Sequence, residues 1–215
     1  MKKFLMVVLA GAALLAGCGR SDKEGIDQPG KKIFYAPLDA KVTGLDPMII
    51  TDVYSGIVAG QCYEGLYQYH FLKNPDVIIP CLAEGMPEVS KDRLTWTIKL
   101  RKDVYYIDDK CFPDGKGRQI RAEDCVYGMK RIANVHNISP NWSGWEKRIV
   151  GLDEFREYTK TVKNKDEVDY SRSIEGLKAL DNFTLQIKLV KPYPQMKYAI
   201  MGFTPIPKEA VDYYK

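Results

Sequence analysis

Few side chains in this 215-residue chain have the type and spacing that chemistry needs. His70 and His136 are its two histidines, and they stand far apart in the sequence, as loop or surface residues would. No G-x-S-x-G, H-E-x-x-H, Walker A or G-x-G-x-x-G stretch occurs, so no nucleophile elbow, zinc helix or phosphate cradle is written here. Gly115-Lys116-Gly117 lacks the strand-to-helix setting of a phosphate loop and reads as a turn. Asp108 to Gly115, DDKCFPDG, has the acid content of a calcium loop, but Lys110 and Phe112 stand where oxygen ligands are needed. Cys62, Cys81, Cys111 and Cys125 form no C-x-x-C pair and fit no zinc spacing. The expectation is a protein that binds rather than catalyses, with no metal and no cofactor.

What the chain holds in quantity is rings: fourteen tyrosines, seven phenylalanines and three tryptophans. Core and sheet packing would use them. A binding cleft would use them too, because a ring gives a large rigid contact area and tyrosine adds a polar tip.

The N-terminus reads as an export signal. Met1-Lys2-Lys3 is basic, Phe4 to Ala16 is an unbroken apolar run, and Leu15-Ala16-Gly17 places small residues before Cys18. The run is shorter than the ~20 residues that a spanning helix needs. Leu15-Ala16-Gly17-Cys18 resembles the lipobox of bacterial lipoproteins, which implies that residues 1–17 are removed and that Cys18 is acylated. Residues 18–32 then form a polar, Gly- and Pro-containing tether with a reach of ~20 Å. The expected location is outside the cytoplasm, held to a bacterial membrane by the lipid at Cys18. Losing Lys2 and Lys3 lowers the formal charge from +4 to +2, and a nearly neutral, mixed-sign surface offers nucleic acid no footprint. In an oxidising compartment the four remaining cysteines allow three disulfide pairings, none chosen by their spacing. Buried as small apolar residues, they would need no bridge.

Two stretches nearly repeat each other. Leu94 to Leu100 reads LTWTIKL, Phe183 to Leu189 reads FTLQIKL, and each follows an aspartate, Asp92 or Asp181. Both alternate apolar and polar residues with period two, the mark of a half-buried strand. Their surroundings differ, so they are two strands of a common type rather than units of a repeat. Val104 to Ile107 reads as a hairpin partner. Ile33 to Ala36 reads as a short strand. Ile57, Val58, Cys62 and Leu66 suit a helix over residues 55–66. Ala122, Cys125, Val126, Met129 and Ala133 form the inner stripe of another helix. Residues 153–170 look charged and solvated, with a short helix at best. Strands mixed with helices through non-uniform connections indicate α/β or α+β.

Read in order, the landmarks become specific. They are Gly44-Leu45-Asp46-Pro47, Tyr63-Glu64-Gly65-Leu66-Tyr67, Pro80 to Met86, Asp92 into LTWTIKLRKDV, Ala122 to Tyr127, Asp181 into FTLQIKL, Lys191-Pro192-Tyr193-Pro194, and Pro205 to Val211. This series, from about Ile33 to Lys215, resembles the family 5 extracellular solute-binding proteins, the peptide-binding receptors of ABC importers. The resemblance implies a periplasmic-binding-protein type II-like N-terminal lobe of α/β class. Segments 33–50 and 170–215 would form the lobe, and 51–169 a small inserted α+β domain. LTWTIKL would then belong to the insert and FTLQIKL to the lobe. The pattern stops before a second lobe, so the chain is expected to be the N-terminal part of such a receptor.

The resemblance also implies partners: a peptide ligand and membrane-embedded permease subunits. It brings Lys41, Val42 and Thr43 to the cleft, with Val42 pairing its main chain to the ligand and Tyr127 offering its ring. At Arg121 the family usually has Thr or Ser, and losing that cap should weaken the helix start by ~1 kcal/mol. The alternatives are a non-transport surface lipoprotein or a degenerate fragment without ligand.

Overall fold

The computed structural model describes residues 30, 32 and 35–214. The expected export signal, Cys18, most of the expected tether, Ile33 and Phe34 lie outside the described residues. The chain divides into two units, Met1–Leu38 and Asp39–Lys215. Residues 35–38, the last of the first unit, carry no strand, so Tyr35 and Ala36 do not extend as their apolar character suggested.

The second unit begins with loops and a short helix, α1, Val53–Ala59. A two-stranded antiparallel hairpin follows, β1 (Tyr67–Tyr69) with β2 (Ile78–Pro80). The helix is half the length expected, and its buried residues are Ser55 and Ala59 rather than Ile57 and Cys62. Gly60 closes it, and three backbone hydrogen bonds from Gln61, Cys62 and Tyr63 wind the chain into a turn. Leu66 is fully buried, but as the residue leading into β1. Gly65 is obligatory at this point: a Cβ there would lie 2.4 Å from the Met201 carbonyl oxygen. That close approach lets Leu66 N donate to Phe203 O and Tyr67 N donate to Met201 O, each at 3.1 Å.

The centre of the unit is a four-stranded antiparallel sheet in the order β3-β4-β6-β5. Its strands are β3 (Glu88–Val89), β4 (Thr95–Lys99), β5 (Leu177–Asp181) and β6 (Thr184–Lys188). The two near-identical stretches are therefore neighbours. Thr95 faces Lys188, Trp96 faces Ile187, Thr97 faces Gln186, Ile98 faces Leu185 and Lys99 faces Thr184. This corrects the assignment of the two stretches to separate parts of the molecule. Alternation decides it, since each strand has one apolar face and pairing them joins those faces into one buried surface. The alternation is cleanest at the ends, where Ile98, Leu100, Leu185, Ile187 and Leu189 are all buried. Trp96 is only half-buried, and its Nε1 donates to Arg93 O at 3.3 Å. Val104 to Ile107 does not pair with β4. Tyr106 N donates to Arg118 O and Ile120 N to Val104 O, so this stretch lies against residues 118–120.

Helix α2, Ala122–Ala133, covers β5 and β6 with the stripe read from its sequence; Ala122, Cys125 and Ala133 have no exposed surface. Arg121 gives no side-chain acceptor at its start, but Arg121 N donates to Asp124 Oδ2 at 2.8 Å. That reach-back bond is the half of a capping box that Arg121 leaves intact. Helix α3, Leu152–Thr161, packs on α2 and is longer than its charged sequence suggested. Leu152, Phe155 and Thr159 form the buried stripe among its charged residues. Two short helices end the chain, α4 (Met196–Ala199) and α5 (Lys208–Tyr213), the latter opened by Pro207.

Candidate functional site

A cleft of about 700 Å³ opens beside α2. Its walls come from the loop after Asp46, the end of α1 with Tyr63, one face of α2, the turn at 141–145, and residues 193–206. Asp46 is the residue that sets the first wall in place. Its Oδ2 accepts from Arg131 Nη2 at 2.7 Å, and its Oδ1 accepts from Arg131 Nη1 at 3.3 Å and from Met48 N at 3.0 Å. Pro47 then turns the chain, Ile49 N donates to Asp46 O, and Met48 is buried at the cleft. From the other side Ser139 Oγ donates to Met48 O at 2.6 Å, and Asn141 Nδ2 donates to both Pro47 O and Met48 O. The Leu45-Asp46-Pro47 landmark is thus a staple between a loop and a helix.

The opposite wall is aromatic. Trp145 packs edge-on against Phe203 with ring centroids 6.3 Å apart. Tyr193 carries the Arg148 guanidinium 3.9 Å above its ring, a cation–π contact that fixes the ring plane. Tyr63 and Tyr198 are partly exposed at this site. Burial raises the Tyr63 hydroxyl above its ordinary pKa, and the nearby Asp46 carboxylate raises it further. The cleft can bind by shape and contact.

The residues expected at a site lie elsewhere. Lys41 and Thr43 are exposed and Val42 is half-buried. Thr43 is tied to the start of α1: its N donates to Ser55 Oγ at 3.0 Å and its Oγ1 donates to Asp52 Oδ2 at 2.7 Å. Asp52 also caps that helix, accepting from Ser55 N at 2.8 Å, and these bonds draw its carboxyl down to about 2. Tyr127 is buried on α2, edge-on to Tyr170 at 5.1 Å between centroids, and its hydroxyl is raised by burial. None of the four is among the residues that line the cleft. Tyr63 and Tyr193 sit inside landmarks quoted from the sequence, but nothing there marked them as wall. For Tyr198, Met201 and Phe203 the sequence held no signal beyond apolar character.

The remaining reactive groups are occupied locally. Asp108 accepts from Lys116 Nζ and Gly117 N, and Asp109 from Cys111 N and Tyr214 Oη. The His70 ring accepts from Leu72 N, and His136 Nε2 lies 3.0 Å from Thr159 O. Cys62, Cys81, Cys111 and Cys125 are all free thiols. Among the described residues no group of three or more His, Cys, Asp or Glu could hold a metal ion.

An antiparallel sheet backed by helices, beside an aromatic cleft whose first wall is fixed by a loop-to-helix ion pair, defines a mixed α/β unit. The model of the bacterial extracellular solute-binding proteins, family 5 Middle, matches residues 77–215, and the chain belongs to that family. It is 27% identical over 217 residues to the periplasmic oligopeptide-binding protein OppA of Escherichia coli K12, covering 98% of this chain and 36% of OppA. It is 30% identical over 208 residues to the oligopeptide-binding protein AmiA of Streptococcus pneumoniae, covering 94% of this chain and 28% of AmiA. Among solved structures, the pheromone receptor PrgZ superposes with a TM-score of 0.60 at 26% identity, over 80% of this chain and 30% of PrgZ. Listeria monocytogenes OppA bound to peptide superposes with a TM-score of 0.63 at 24% identity, over 82% of this chain and 31% of that protein, a likeness of fold. The chain spans about a third of the length of the curated relatives it matches.

Proposed function

We propose that this chain serves peptide capture outside the cytoplasm, as part of the solute-binding component of an ABC importer that passes its ligand to membrane-embedded permease subunits. The observation that carries this reading is family membership, together with relatives named for oligopeptide binding. The aromatic cleft supports it, because a binding protein needs a concave, largely preformed surface and no catalytic group. An extended peptide is held through its main chain, as a strand added to an edge, while side chains fill pockets. Val42 is assigned the main-chain contact and Tyr127 a ring contact, on the resemblance. Lys41 and Thr43 flank Val42, and the bonds from Thr43 to Ser55 and Asp52 hold that segment ready. The lipid at Cys18 keeps the protein at the membrane face where the permease sits.

Calorimetry of the full chain with a tri- to pentapeptide library tests the capture. Saturable heats that Val42→Pro abolishes are expected, since proline removes the main-chain donor. Absence of binding to every peptide would overturn the reading. Palmitate-analogue labelling of cells should mark the wild type and leave Cys18→Ser unlabelled; equal labelling would remove the anchor.

A further inference from the structure

We infer that the cleft beside α2 is a selective site for a large apolar group, an aromatic or branched aliphatic side chain of the captured peptide, and that it rejects carboxylates. The inference rests on the peptide-capture reading for the identity of the ligand, but its physical basis is the cleft alone. Met48, Tyr63, Trp145, Tyr193, Tyr198 and Phe203 give it a wall of rings and polarisable thioether. At about 700 Å³ it falls within the ~300–1,000 Å³ range of small-ligand sites and exceeds what one side chain requires.

The charged group and the one side-chain amide at the cleft are already engaged. Arg131 is the charged side chain in the wall; it is nine-tenths buried and paired with Asp46 at 2.7 Å. A ligand carboxylate could reach that guanidinium only by displacing Asp46 or by lying beside it, and either gives up a formed ion pair or crowds two carboxylates on one guanidinium. Asn141 commits its amide nitrogen to two backbone carbonyls. Arg131 is therefore a positioning residue that holds the 46–48 loop, and it does not read the ligand. The affinity expected for an apolar group comes from contact with the rings and the Met48 thioether.

The test uses the full chain, the tripeptides Ala-Phe-Ala, Ala-Leu-Ala and Ala-Asp-Ala, and the neutral apolar dye Nile red. Tyr198→Ser changes a ring that is 46% exposed, and circular dichroism checks that the variant keeps its fold. The Phe and Leu peptides should bind at least ~10-fold tighter than the Asp peptide. Tyr198→Ser should weaken the Phe peptide and Nile red severalfold and leave the Asp peptide unchanged. Nile red bound and weakened by Tyr198→Ser, with no peptide bound, would support the apolar site while removing the peptide reading. Equal affinity for the Phe and Asp peptides, or Nile red binding indifferent to Tyr198→Ser, would overturn the inference.

Discussion

Ile98 on β4 and Leu185 on β6 lie directly opposite each other, and both are sealed from solvent. Each belongs to one copy of the repeated strand sequence, so the likeness between the copies is a consequence of their pairing. Antiparallel neighbours that share a core face and a solvent face are under the same demand at every position. Lys99 and Lys188, one near each end of the paired stretch, both reach exposed carboxylates, Glu88 and Glu175. The sheet is thus apolar on one face and laced with ion pairs on the other.

Ile98→Ala and Leu185→Ala should each cost about 2–5 kcal/mol in urea unfolding, as large-to-small core changes do. The double variant should depart from additivity by about 0.5–3 kcal/mol, because the two side chains share one cavity. Trp96→Ala should fall below the ~3–5 kcal/mol of a fully buried tryptophan, since this ring is only half covered. Strict additivity of the pair would mean that the register differs from the one described.

Arg118 joins two elements that are distant in sequence. Its Nη1 and Nη2 meet Asp124 on α2 at 2.8 and 2.7 Å, and its Nε and Nη2 meet Glu209 on α5 at 2.7 and 2.8 Å. The Asp124 side chain is 6% exposed and that of Glu209 is 36% exposed. Arg118→Met should therefore cost about 3 kcal/mol, because it strands a buried carboxylate. Glu209→Gln should cost about 1 kcal/mol or less, as a partly solvated pair. If Glu209→Gln proved as costly as Arg118→Met in chemical unfolding, the Asp124 arm would not be the dominant one.

The parts of this fold that were legible in the sequence are those whose burial is local and periodic. Strands β4 and β6 showed alternation, and the stripe read on α2 (Ala122, Cys125, Val126, Met129 and Ala133) is buried throughout, although burial extends to most of that helix. Helix α3 was hidden because Leu152, Phe155 and Thr159 are thinly spaced among charges. Helix α1 was overextended because apolar spacing alone does not register Gly60, where the helix closes and the chain winds into a turn. The separation of the two similar strands came from likeness to other proteins, whereas their own alternation pointed to one sheet. The cleft was least legible. Its walls come from five stretches of chain, and no local pattern announces that Tyr63 and Phe203 will line the same cleft.

Among the described residues, the free thiols Cys62, Cys111 and Cys125 should report their burial order directly. Cys62 is exposed, while Cys125 is wholly buried and burial raises its thiol well above the ordinary value. Cys111 is half-buried, and burial together with the Asp109 carboxylate pushes it up to about 11. In a Cys18→Ser background at about pH 8, Cys62 should react first with a maleimide, since the thiolate is the reacting form. Cys111 should follow slowly and Cys125 should react only with unfolding. Native labelling of Cys125 at the rate of Cys62 would show that α2 does not hold its buried face as described.

Asp52 offers a test that depends on pH alone. Its carboxylate accepts from Ser55 N at 2.8 Å and from Thr43 Oγ1 at 2.7 Å, and these bonds lower its pKa from the ordinary 3.8 to about 2. The folded chain therefore binds this proton less readily than the unfolded chain. By linkage, the stabilisation is fully present above 3.8 and is lost as pH falls from there through about 2. Many other carboxylates are lowered too, so total stability against pH does not isolate this one. The difference between wild type and Asp52→Asn does. Asparagine keeps the shape and a capping oxygen but loses the charge, so the variant should be less stable than wild type at about pH 6. The gap should narrow as pH drops through the 3.8-to-2 window, and the two proteins should converge at its acid end. The same titration should loosen Thr43, which would appear as faster amide exchange at Thr43 and Ser55 in that window. A gap that stays constant down to the acid end, or widens, would show that Asp52 does not carry its charge against α1.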